Sequence, residues 1–130
     1  MTLSIRHITF DAADPYRIAQ FWAAATGFTE EADDPNQPDD DETALVSADE
    51  RILLLFIRVP EGKTVKNRVH LDLGPDDSTR DEEVERLLTL GATIADDRRT
   101  SDGRGWVVMH DPEGNEFCVE RSEAERTLIP

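Results

Sequence analysis

Residues 3 to 11, LSIRHITFD, alternate in character: on an extended chain Leu3, Ile5, His7, Thr9 and Asp11 fall on one face and Arg6, Ile8 and Phe10 on the other. The segment reads as a strand. Asp14 before Pro15 supplies an N-cap and a first-turn proline, and Ile18, Phe21, Trp22 and Ala25 then recur at helical spacing until Gly27. A helix of about three turns is predicted there. Phe28 to Glu31 starts a second strand and Thr43 to Ser47 a third. After the turn Ala48-Asp49-Glu50, the run Arg51 to Val59, RILLLFIRV, is apolar on both faces in its middle, as a central strand is. The second half repeats the order. Arg68 to Leu73 sets Val69, Leu71 and Leu73 against Arg68, His70 and Asp72, as a strand does. Asp76 to Thr79 opens a helix striped by Val84, Leu87 and Leu88 and stopped by Gly91. Thr93 to Asp96, Gly105 to Met109 and Glu116 to Glu120 are short strands, the last two joined by the turn DPEGN.

The offsets tie the halves together: His7 to His70 is 63 residues, Gly27 to Gly91 is 64, and Ser47 to His110 is 63. Two tandem βαβββ units, spanning 3–59 and 66–121 within one 130-residue domain, account for all three, and the fold class is α+β. One unit leaves a sheet with an open edge and a bare face, so the units are expected to pair around a cleft.

Charge narrows the function. Fourteen Lys plus Arg stand against 29 Asp plus Glu, a formal net charge of −15, which repels phosphate backbones and anionic lipid. No nucleic-acid and no membrane partner is expected, because no run approaches the ~20 apolar residues of a membrane span either. The first residues lack the order of a secretory signal, and a cytoplasmic location is the expectation. Eight acids between Glu30 and Glu42, among Pro, Asn and Gln, read as a solvated loop. The single Cys118 excludes an intrachain disulfide framework and a multi-cysteine zinc module.

Period-2 alternation places Glu116, Cys118 and Glu120 on one face of the last strand, and the same logic points His7 and His70 toward the cleft. Two imidazoles and a thiolate suit Zn²⁺, Fe²⁺ or Co²⁺ with a position left open. Phe56, Arg58 and Trp106 share cleft-facing parity and offer a stacking surface and a cation, with His110 near the mouth. A Cys118, His70 and Asp72 nucleophile is the weaker reading, since alternate residues of one strand are not expected to hydrogen-bond in series.

The segments RHITFDAADPYRIAQFWAAATGF, KTVKNRVHLDL, LGATI and WVVMHDPEGNEFCVE resemble the vicinal oxygen chelate superfamily. More narrowly they resemble its glyoxalase-like branch, in the company of bleomycin-resistance proteins, fosfomycin-resistance enzymes and extradiol dioxygenases. The resemblance implies a pseudo-two-fold fold with metal ligands on the first and last strand of each unit. Carried over, those positions are His7, Leu54, His70 and Cys118, where the family usually has Glu at the position of Cys118. Glu116 or Glu120 is the alternative carboxylate ligand. The implied activity is a divalent-metal-dependent lyase, isomerase or oxygenase (Zn, Fe, Mn, Ni or Co) acting on a small oxygenated molecule. Glyoxalase I itself is not implied, because two acid positions read Leu54 and Cys118. The implied assembly is a homodimer. The alternative is a metal-free protein that sequesters an antibiotic-like small molecule, as bleomycin-resistance proteins do.

Overall fold

The computed structural model describes all 130 residues, which divide into two compact units, Met1–Gly62 and Lys63–Pro130. The first contains β1 (Ile8–Ala12), α1 (Pro15–Thr26), β2 (Glu42–Val46) and β3 (Leu53–Arg58). Helix α1 forms where the sequence places it: the Asp14 carboxylate accepts from the Arg17 N–H, and Gly27 closes the last turn in the left-handed region with its N–H on the Ala23 carbonyl. Its apolar stripe, Ile18, Phe21 and Trp22, is buried. Phe10 lies 5.5 Å from Trp22 and 5.2 Å from Phe56, ring centre to ring centre, so β1, α1 and β3 share one aromatic core. Strand β3 is central, parallel to β1 and antiparallel to β2.

Two expected strands of this unit are shorter than the alternation suggests. Ile8 already pairs with Leu54, and β3 begins only at Leu53, so residues 3 to 7 have no ladder partner; Leu3 and Ile5 are 100% and 89% exposed. Phe28 to Glu31 likewise makes only single bridges, Thr29 to Val46 and Glu31 to Asp34, because β2 ends at Val46. The acidic loop is tied by the Asn36 side chain, which accepts from the Ala44 N–H and donates to the Ala44 carbonyl, and near its end by Arg58 on Asp41.

The second unit contains β4 (Asp72–Leu73), α2 (Arg80–Leu90), β5 (Thr93–Asp97), β6 (Val107–His110), β7 (Glu116–Val119) and α3 (Glu123–Leu128), with sheet order β4-β7-β6-β5. The order β4-β7-β6 repeats β1-β3-β2, with the same parallel and antiparallel pairings. The chain is thus α+β, built from two units of one plan. Helix α2 carries a complete capping box, Thr79 with Glu82. The strand expected over Arg68 to Leu73 contracts to two residues. Side-chain ties hold the chain ahead of it (Lys63 and Asn67 to Glu116, Asn67 to Asn115), and Val69 is 81% exposed. Helix α3 was not expected, although its capping box, Ser122 with Glu125, is legible. No helix is long and apolar enough to cross a membrane.

Candidate metal and ligand site

Parallel pairing of β4 with β7 sets Asp72 opposite Cys118, and His70, in the chain just ahead of β4, reaches both. His70 Nδ1 lies 3.0 Å from Asp72 Oδ1 and 3.9 Å from Cys118 Sγ, and one ligand atom from each of the three lies within 4.8 Å of the others. His70 and Asp72 therefore do hydrogen-bond here, against expectation, because β4 begins only at Asp72 and His70 lies in the chain ahead of it.

The chemistry of this trio follows from Asp72. A carboxylate only accepts, so His70 donates from Nδ1 to Asp72 and Nε2 is left outside this hydrogen bond. The Cys118 thiol is pushed up to about 11, first by burial and then by the charge and hydrogen bond of Asp72. It is a protonated thiol at neutral pH. A nucleophilic triad needs one ring nitrogen for the thiol and the other for the acid; here thiol and acid meet the same nitrogen, so the trio is not built as one. With the Asp72 carboxylate engaged by Nδ1, the other ring nitrogen of His70 and the Cys118 sulfur are the donors left for a divalent ion that displaces the thiol proton.

The trio opens into a cavity of about 710 Å³ whose lining also includes Lys66, Trp106 and Arg121. Trp106 is held at its edge by the loop that follows β5. Buried Arg80, the first residue of α2, donates from Nη1 to the Arg104 and Gly105 carbonyls, both at 2.9 Å.

Other expected site residues have different surroundings. Glu116 accepts from Lys63 Nζ, the Asn67 N–H and His110 Nε2 at 3.0, 2.9 and 3.2 Å. Burial alone would raise its pKa, but the Asn67 N–H and Lys63 overcome this and hold it at about 2. Glu116 lines the cavity as an anchored carboxylate, and His110 is bound to it outside the lining. Glu120 also lines the cavity and is paired with Arg126. In the first unit, Phe56 is fully buried among the core rings rather than presented to a ligand. Arg58 reaches Asp41 and the Ala13 carbonyl. His7 is exposed, just ahead of β1, and Leu54 is buried at 2% exposure. The sequence reading left Asp72 outside the metal set; the H-x-D spacing of HLDL was the signal that could have included it.

A profile of the family described as "Glyoxalase-like domain" matches residues 7–120. Among solved structures, the fosfomycin resistance protein FosX from Mesorhizobium loti is 21% identical with a TM-score of 0.68, covering 98% of this chain and 99% of that one. A variant of FosX from Listeria monocytogenes, complexed with Mn(II) and 1S,2S-dihydroxypropylphosphonic acid, is 18% identical with a TM-score of 0.69 over the whole of both chains. A glyoxalase/bleomycin resistance protein/dioxygenase family enzyme from Burkholderia phytofirmans is 20% identical with a TM-score of 0.65, covering 87% and 94%. No curated protein sequence matches the chain.

Proposed function

Because the chain belongs to the glyoxalase-like domain family, and because its second unit gathers three metal-competent side chains at a cavity, we propose that it is a divalent-metal-dependent enzyme acting on a small oxygenated molecule. The observation that carries this is the convergence of His70, Asp72 and Cys118 within 4.8 Å. His70 would bind through Nε2, Cys118 through sulfur, and Asp72 would hold the imidazole in the required tautomer, as carboxylates behind metal-bound histidines do. A bound ion would polarise an oxygen of the substrate. The FosX of Listeria is described with Mn(II); a thiol-bearing donor set favours the softer Zn²⁺ or Fe²⁺.

The test is calorimetry of the metal-stripped chain with Zn²⁺, Fe²⁺, Mn²⁺, Ni²⁺ and Co²⁺. Saturable binding that disappears in His70→Ala is the expected result. No binding by any ion overturns the reading and leaves a metal-free sequestering protein as the better account. Turnover of a glutathione hemithioacetal is not expected, since Leu54 offers no donor and Cys118 replaces the second acid. A homodimer is also proposed, supported by the exposure of Leu3 and Ile5 in one unit and of Val65 and Val69, 76% and 81%, in the other.

A further inference from the structure

The cavity wall is at odds with the chain's overall charge. Five of its lining residues are cations, Lys66, Arg98, Arg104, Arg121 and Arg126, in a protein whose net charge is −15. Most of these cations are matched by acids. Arg98 is paired with Asp96 at 2.8 Å, Arg104 with Asp102 at 2.7 Å, and Arg126 with Glu120. Among the lining acids, Glu116 is neutralised by Lys63, and Asp72 is bound to His70. Two cations are left without an acidic partner, against the single carboxylate charge of Asp72. Lys66 has no hydrogen-bond or ion-pair partner, though its charge is felt at the Cys118 thiol. Arg121 donates only to the Ile129 carbonyl, a neutral acceptor.

Unmatched cations on a concave wall are free to receive an anion, and the remaining donors of a guanidinium suit an oxyanion. Trp106, 45% exposed at the same wall, offers an apolar face of about the size of a small carbon skeleton. We propose that this cavity takes an organic oxyanion, a carboxylate or phosphonate, whose charged group is met by Lys66 and Arg121 while its carbon skeleton lies against Trp106. The inference names a substrate class for the enzyme proposed above and rests on that reading for its catalytic meaning; the binding itself does not require the metal. It also runs against a cationic guest, the ligand that the acidic composition alone would invite.

The experiment uses the metal-stripped full chain and four probes of one shape: phenylphosphonate, benzoate, benzamide and benzylamine. Calorimetry measures the affinities. Tryptophan fluorescence locates the binding, because Trp22 is fully buried and Trp106 is the exposed member of the pair. The expected order is phenylphosphonate, then benzoate, with benzamide and benzylamine far weaker and the anion affinities falling with added salt. Lys66→Gln and Arg121→Gln should each weaken phenylphosphonate by about tenfold with unchanged thermal midpoints. Equal binding of anion and amide, tightest binding of benzylamine, or full affinity in the double variant would overturn the proposal. Anion binding without any divalent-ion binding sinks the metal reading alone, and ion binding without anion preference sinks this one alone.

Discussion

At the scale of single residues, Asp72 acts on two neighbours at once: it accepts from His70 Nδ1, and its charge adds to burial in raising the Cys118 thiol. Asp72→Ala should therefore weaken divalent-ion binding by about 10- to 100-fold, the usual effect of removing a carboxylate behind a metal-bound histidine. In the metal-free variant the thiol pKa should fall from about 11 yet stay above the ordinary 9.0, because burial is the larger cause and remains. Thiolate absorbance against pH reads this directly; an unchanged titration would show that Asp72 does not act on the sulfur. The sequence offered His70 and Cys118 through the resemblance, whereas the role of Asp72 depends on a 3.0 Å contact that alternation alone did not anticipate.

At the scale of elements, the site depends on how loops are tied to the sheet. The turn after β5 needs Gly105, whose φ is +91° and whose added Cβ would stand 2.0 Å from the Arg98 carbonyl oxygen. Gly105→Ala should cost about 3 kcal/mol. Gly114→Ala has a similar φ of +89° but open space around it, and should cost only about 1 kcal/mol. Urea unfolding of the two variants compares clash with backbone strain. Glu116 ties the chain before β4 to β7. Its folded pKa of about 2 lies below its ordinary 4.5, so it stabilises the fold above pH 4.5, and that contribution fades as pH falls toward 2. Glu116→Gln should lose about 2 kcal/mol at pH 7 and then decline less than the wild type between pH 4.5 and 2.5. Parallel acid limbs in the two proteins would refute the assignment. Elements with strong local signals, α1 with Asp14 and Gly27, α2 with Thr79 and Gly91, and the DPEGN turn, were legible in advance. Strand lengths were not, since a strand ends where its partner ends.

At the scale of the whole molecule, each unit leaves apolar side chains uncovered, Leu3 and Ile5 in one, Val65 and Val69 in the other. Uncovered apolar side chains are what a second copy would bury. Light scattering at tens of micromolar should give a dimer mass, and Ile5→Asp with Val69→Asp should shift it toward the monomer; a monomer for the parent chain removes the proposal.

The sequence by itself determined the fold class, the two-unit plan and the ends of α1 and α2, because hydrophobic period, caps and the 63- to 64-residue offsets are properties of the chain that pairing does not alter. Only the tertiary structure decided which charges are matched. Glu116 became an anchored carboxylate, Phe56 a core ring and Arg58 a partner of Asp41, while Lys66 and Arg121 line the cavity without an acidic partner. Electrostatic partners are chosen by distance across the fold, at separations such as the 53 residues between Lys63 and Glu116, and no periodicity along the chain encodes them.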